Sequence, residues 1–399
     1  MVTQPLSRPT LELNPFTVGS LQNPFPVEDQ IREAAPIVWL SDLNVWATGR
    51  YDLVQQIFLD HETFISSHGT GLTNTALEKN WRKPSVILEQ DQPEHTKTRK
   101  VMSKVLSLKV VKQLQNEFQQ AAYELVDALC EVEEFDAVTD LAEAFPLQVL
   151  PDAVGLAPEG RQYLLKYANL NFQAMGPKNA LYEQALQDAA KATEYVEWQM
   201  DRKNLDESKL AGIIFAAADD GAIAQEQASL LVRTFLSAGL DTTMLGIGLA
   251  LKALAETPWA WQLLSAEPKR ARSVFEETLR TYAPSPFIAR TVGTEVDFGG
   301  VTLRPEEKII NCVSAANRDP RHWERPAEFD IERDIRGHAA FGYGIHACVG
   351  QMMARMEAES VLRAVAEKVQ SIELIGEPQR KINHWLRGYD HMPMRITPK

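Results

Sequence analysis

The chain has 399 residues, 45% of them hydrophobic and 24% charged, which suits one large or two ordinary globular domains with a sizeable core. Its formal net charge of −13 argues against broad nucleic-acid binding. The cysteines Cys130, Cys312 and Cys348 stand at wide, irregular spacing, which excludes a readable disulfide framework or paired zinc site and suits a reducing cytosol. The N-terminal run MVTQPLSRPTLELNPF has no basic region followed by an apolar stretch. No signal peptide is therefore expected, and the expected location is cytoplasmic.

In chain order, PIVWL and NVWATG joined by SDL predict a hairpin, followed by a helical YDLVQQIF. From about residue 95 to 285 helical periodicity prevails, with stops expected at Pro151, Pro158 and Pro177. The stretch from Ala224 to Pro258 reads as one helix of roughly 30 residues, far beyond the usual 11 or 12, and so apolar that it must pass through the centre. Arg233, Asp241 and Lys252 interrupt it, so a buried helix is expected rather than a membrane span of about 20 apolar residues. Short strand-like runs EVDFGG, VTLRP and KIINCV follow, then turns at Asp319-Pro320 and Arg325-Pro326, then an amphipathic QMMARMEAESVLRAVAEKV. The expectation is one mainly helical domain over 1–399. Its β-rich part lies at about 36–66, 295–313 and 371–399, and its helical part at about 67–294 and 314–370.

The loop FGYGIHACVG, residues 341–350, sets Cys348 among glycines just before a predicted helix. A lone cysteine is most often an inert buried thiol. A helix N-terminus, however, would lower its pKa toward a metal-binding thiolate, and Gly344 and Gly350 would let a flat macrocycle approach the backbone. The pattern Phe341-x-x-Gly344-x-x-x-Cys348-x-Gly350 resembles the haem-ligand signature of the cytochrome P450 family. Its chance recurrence at one position is on the order of 10⁻⁴ to 10⁻³. Other motifs of that family follow in the right order, so the resemblance covers essentially the whole chain. Glu277-Thr-Leu-Arg280 matches its ExxR ion pair, one helical turn apart. Glu267-Pro-Lys-Arg270 fits the same spacing, but its proline would spoil a helix interior. The pair's third partner usually comes from a PxRF-like segment. Here that segment is Pro326-Ala-Glu-Phe329, which leaves Arg333 as the candidate substitute.

The resemblance implies the cytochrome P450 fold, mainly α with a smaller β-rich part. Haem b would lie between the long central helix and the cysteine-loop helix, with Cys348 as its axial thiolate. It further implies propionate contacts from His95 and Arg99, which share a helix face at i and i+4, and from Arg290 and His346. Ala238, Gly239, Phe341, Gly342 and Gly350 would complete the haem surroundings. Gly239 in a helix interior costs about 1 kcal/mol, and in the family the helix bulges here to admit dioxygen. Asp241 and Thr242 would then hand on protons while the thiolate supplies electron density. The bland alternative is that Asp241 caps a helix break and Thr242 back-bonds to a carbonyl.

Arg233, Ser237 and Asp241, at i, i+4 and i+8, predict one helix face. Arg233 would stand about 12 Å along the axis from the acid, a span like that of a benzoate from its carboxylate to its para substituent. WRKPSVILEQDQPEHT, DLAEAFPLQVLPDAVGL and LVRTFLSAGLDTT resemble the bacterial branch that oxidises para-substituted benzoates, with 4-methoxybenzoate O-demethylation its best-known reaction. That implies carboxylate contacts from Arg82, Ser85, Arg233 and Ser237, a hydroxyl kept in the substrate site at Thr234 where the branch usually has serine, and pocket walls from Phe172, Met175 and Ala289. Met175 and Ala289 stand where the branch usually has phenylalanine, so a pocket open to meta substituents or longer acids is expected. The implied partners are O₂ and a [2Fe–2S] ferredoxin with its reductase, docking near Lys97, Lys100 and Arg355. A monomer without membrane contact is expected. Two alternatives stay open: a cytochrome P450 acting on a neutral aromatic ether, terpene or fatty acid, and a haem-thiolate sensor without turnover.

Overall fold

Val38–Leu40 and Val45–Thr48 pair antiparallel as the expected hairpin, with nearly every side chain buried. The computed structural model describes residues 8–399. Residues 1–7, the start of the run read for a signal peptide, lie outside the described residues. The hairpin belongs to a six-stranded sheet in the order Thr10–Leu11, Val38–Leu40, Val45–Thr48, Lys308–Cys312, Phe287–Val292, Phe64–Ile65. Val45–Thr48 runs parallel to Lys308–Cys312, which stitches the two ends of the chain together. A second, three-stranded sheet joins Val369–Leu374, Pro393–Pro398 and Glu134–Asp136.

Two of these strands correct the predicted boundaries. Phe287–Val292 lies in the stretch expected to be helical. Every residue of it but Ile288 is buried, so the run FIARTV shows none of the alternation that marks a half-buried strand. Glu134–Asp136, also in the expected helical part, is three residues long, too short to carry a period. The last sheet begins at Val369 rather than at 371.

The helical part has its core where Leu108–Val132, Asp241–Glu256, Ala271–Tyr282 and Gln351–Lys368 pack together. Pro151 does not stop a helix: it lies inside Ala144–Val154. Gly155 ends that helix, with φ 95° and its N–H 3.0 Å from the Pro151 carbonyl. A Cβ there would come 2.6 Å from the Asp206 carbonyl, so only glycine fits. Pro158 and Pro177 do lie in loops.

The expected unbroken central helix is two helices, Gln225–Ala238 and Asp241–Glu256. Gly239 N–H still reaches Phe235 O at 3.3 Å, while Thr243 and Met244 restart the ladder on Leu240 O at 3.1 and 3.0 Å. A Cβ at Gly239 would meet Phe235 O at 2.9 Å and Leu150 Cδ2 at 3.2 Å, which is why glycine stands at the break. The whole stretch is long and apolar enough to cross a membrane, but 78% of its most apolar window is buried within the protein.

Candidate active site

Glu277 and Arg280 sit one turn apart on Ala271–Tyr282, both fully buried. Arg280 Nε and Nη2 donate to the two carboxylate oxygens at 2.7 Å each. Its remaining protons go to the carbonyls of Asn317, Pro326 and Glu328. Arg333 Nε donates to Glu277 Oε1 at 3.2 Å, so Arg333 is the third partner. Asn317 carries the network onward, its Oδ1 accepting the Ala339 N–H at 2.6 Å, two residues before Phe341. A charge-assisted cluster of this kind, in which every guanidinium proton of Arg280 is matched, fixes the segment that leads into the cysteine loop. Glu267 and Arg270 pair at the surface in a 3₁₀ turn.

Cys348 precedes the helix Gln351–Lys368, and its N–H bonds the Phe341 carbonyl at 2.7 Å. Burial pushes its thiol pKa up, against the pull of the Gly350 and Gln351 N–H groups and of Arg99 and Arg355. The expected lowering is therefore outweighed in the protein alone: the helix terminus does point at the sulfur, but desolvation is larger. The glycines also divide differently from expectation. Gly342 and Gly344 have φ 65° and 68°, and a Cβ at Gly344 would strike the Phe58 carbonyl at 2.7 Å. Gly344 thus serves the turn. A Cβ at Gly350 would be in ordinary contact with Cys348 Sγ, 3.8 Å away. Phe341 packs under Arg355, 4.4 Å from its guanidinium carbon.

Around this loop four cationic or imidazole groups converge. His95 and Arg99 share the helix Glu94–Val105, and Arg99 donates to the Ala347 carbonyl. The His95 and His346 rings lie 4.2 Å apart. Both Nε2 atoms are buried without a hydrogen-bond partner among the described residues. Burial and Arg99 push His95 down to about 4, and burial and Arg290 push His346 down to about 3. Arg290, buried at 4% exposure, is lowered to about 10 by burial against the pull of Asp91, and makes no salt bridge among the described residues. Orphaned ring nitrogens beside unpaired guanidinium groups fit the two propionates of a haem.

On the other side, Asp241 opens its helix, buried, with Oδ2 unpartnered among the described residues. Burial raises its pKa to about 7, with Lys381 opposing and Glu143 and Asp390 reinforcing. Thr242 Oγ1 donates to the Ala238 carbonyl at 3.3 Å, the back-bond weighed above. The helix break falls within the stretch predicted to carry Arg233, Ser237 and Asp241. Arg233 and Ser237 lie on the first helix, and Asp241, beyond the break, lies within the field of Lys381, Glu143 and Asp390.

Arg233 Nη2 donates to the carbonyls of Lys83 and Pro84 at 2.8 and 3.1 Å, so it stands beside Arg82 and Ser85. It is 6% exposed, without a carboxylate in salt-bridge range among the described residues, and burial and Arg82 lower it to about 10. Thr234 and Ser237 hydroxyls back-bond to Leu230 O and Arg233 O. Phe172 and Ala289 belong to one buried cluster, with Met175 and Ala238 packed against it. The loop above is pinned to both walls, Leu72 N–H to Met175 O and Ala289 N–H to Thr70 O. Sequence reasoning missed Glu89, Tyr167 and Asn171 at this site. Glu89 pairs with Arg82, Asn171 accepts from Arg82 Nε at 2.7 Å, and Tyr167 lies within the field of both arginines. The spacing of Tyr167 and Asn171, i and i+4 on Tyr163–Gln173, was the available signal.

Of the basic groups expected to meet a ferredoxin, Lys97 and Lys100 are exposed. Arg355 is not available: it is largely buried and bonded to Glu276, which also takes His338 Nε2 at 2.7 Å.

The cytochrome P450 family model matches residues 160–382. Cytochrome p450 CYP199A2 of Rhodopseudomonas palustris is 44% identical over 391 residues, 98% of this chain and 95% of that protein. Cytochrome P450 CYP109Q5 of Chondromyces apiculatus is 27% identical, with a TM-score of 0.81 over 98% of this chain and 99% of that one. An epothilone D-bound cytochrome P450, P450epoK, shares the fold at a TM-score of 0.86 and 24% identity, over 98% of this chain and all of its own. This chain belongs to the cytochrome P450 family, monooxygenases that use a cysteine-ligated haem b.

Proposed function

We propose that the protein oxidises a substituted aromatic carboxylic acid, such as a methoxybenzoate, using O₂ and electrons from a [2Fe–2S] ferredoxin. The observation that carries the substrate class is Arg233, a guanidinium buried within Gln225–Ala238 that forms no salt bridge among the described residues. A buried unpaired cation is costly, and an aromatic carboxylate that meets it removes that cost. The ring would then rest among Phe172, Met175 and Ala289, all in or against one apolar cluster. Neutral ethers, terpenes and fatty acids lack either the anion or the flat ring.

Cys348 would hold the haem iron, and His95, Arg99, Arg290 and His346 would hold its propionates. When bound, the haem supplies the activation of dioxygen and the transfer of one oxygen atom to the substrate. The chain's residues do the rest. Arg82, Ser85 and Arg233 orient the acid so that its far substituent points along the central helices. The pinned loop 69–72 excludes water. Asp241, with a pKa of about 7, can take a proton at neutral pH and give it up again, as an acid–base group must. On a methoxy substituent the product is an unstable hemiacetal, which releases formaldehyde and leaves a phenol.

Binding spectra with 4-methoxybenzoate and its 3-methoxy relatives test the reading. A shift of the haem toward high spin is expected with both, and no shift with any of them refutes the carboxylate clamp. The reduced, CO-bound absorption spectrum separately tests Cys348 ligation.

A further inference from the structure

The clamp of Arg82, Ser85 and Arg233 already contains a carboxylate, and it belongs to the chain. Glu89 is 8% exposed. Its Oε2 accepts from Arg82 Nη1 at 2.9 Å and from the Ser85 N–H at 2.7 Å. Glu89 N–H returns to Ser85 O at 3.0 Å, and Ser85 Oγ accepts the Leu88 N–H at 3.2 Å. The turn 85–89 is thereby folded around this carboxylate. Burial works against its charge, but Arg82, the Ser85 N–H and Arg233 hold the carboxyl below its ordinary value. The charged groups that act on it are Arg82, Arg233 and, from the strand Lys308–Cys312, Lys308, while Tyr167 on the helix Tyr163–Gln173 faces the two arginines. The two guanidinium groups and one carboxylate of the clamp itself leave a net charge of one, to which Lys308, lowered to about 7 by burial, adds part of a second at neutral pH.

We infer that Glu89 is an internal carboxylate that shares Arg82 with the substrate acid, so that the site admits one negative charge and makes an incoming acid compete for Arg82. This rests on the aromatic-acid reading above and adds a specificity-determining residue to it. Glu89 bonds Arg82 through Nη1, and Arg82 Nη2 makes no hydrogen bond among the described residues. An arriving carboxylate therefore has one free edge of Arg82 and the unpaired Arg233 to meet, close to a like charge that repels it. A purely structural Glu89 would instead hold Arg82 in place, and its loss would weaken every ligand. The two roles predict opposite signs.

The test is equilibrium binding of 4-methoxybenzoate and its neutral amide, 4-methoxybenzamide, by calorimetry on the haem-loaded protein. The variants are Glu89→Gln, Glu89→Asp and Arg233→Gln, each checked for its fold by the reduced, CO-bound spectrum. Glu89→Gln is expected to tighten the acid at least about tenfold and to leave the amide within about twofold. Glu89→Asp, which draws the carboxylate back by one methylene, should move the acid in the same direction by less, and it decides the matter alone if the glutamine variant does not fold. Unchanged or weaker acid binding in the folded variants overturns the inference. If the wild type binds acid and amide alike and Arg233→Gln changes neither, the aromatic-acid reading falls and takes the Glu89 inference with it. If the acid is preferred and Arg233→Gln abolishes that preference, the reading stands and the Glu89 variants judge the inference by itself.

Discussion

Asp241→Asn exchanges a carboxyl that the fold holds against its charge for a neutral amide of the same shape. The ordinary carboxyl value of 3.8 rises to about 7 at this buried position. The protonated form is thus the one the fold favours. The group's contribution to stability is fully present below pH about 4, falls as pH rises through about 7, and is flat above that. The loss approaches about 4 kcal/mol at pH 8 and is under about 2 kcal/mol at pH 5. Asparagine carries no such loss. The variant should therefore be more stable than the wild type by up to about 4 kcal/mol at pH 8, with less than half that advantage at pH 5. Guanidinium denaturation of the haem-loaded protein, followed at the Soret band at both pH values, measures this. Product formation should fall by about a hundredfold or more, as expected when a proton-transfer group is removed. The reasoning is refuted if the variant's advantage does not grow between pH 5 and pH 8, or if turnover survives intact. Lys381→Met, which removes the opposing charge 3.0 Å from Asp390, should move the same transition to higher pH.

Arg333→Ala should cost about 2 kcal/mol, the worth of a hydrogen bond to a buried charge, because Arg333 Nε is one of the donors to the fully buried Glu277. For a chain of this size that lowers Tm by about 2–3 °C, and a change below about 0.5 °C would show that the carbonyl contacts of Arg280 suffice. Met175→Phe restores a ring beside Phe172 in the cluster that also buries Ala289. Affinity for 3-methoxy acids should fall about tenfold relative to 4-methoxybenzoate, read from spin-state titrations, and an unchanged ratio refutes the widened pocket.

Much of the site was legible because its parts are local. The cysteine loop, the Glu277–Arg280 turn, and His95 with Arg99 each lie within ten residues, and helical spacing alone sets their geometry. The break at Gly239 was legible as a glycine out of place, but not as a break. Whether such a glycine bends, bulges or splits a helix depends on Leu150 and the Phe235 carbonyl, which press on it. Phe287–Val292 escaped notice because a strand buried on both faces has no period. Pro151 misled because its helix ends four residues later, where the approach of Asp206 demands a glycine.

The sequence by itself determined the cysteine loop, the central acid–alcohol pair and the buried ion pair through short motifs that resemble those of the family, and the overall balance of helix and sheet through periodicity. Only the tertiary structure decided how charges are shared among distant segments. Arg333 joins Glu277 across 56 residues, and Arg233 leans on Lys83 and Pro84 across about 150. Asp241 is raised by burial rather than by a neighbour in sequence. Arg355, which looks like a free surface cation, is spent on Glu276. The reason is physical: spacing along the chain sets which way a side chain points, but desolvation and ion pairing depend on what else arrives there.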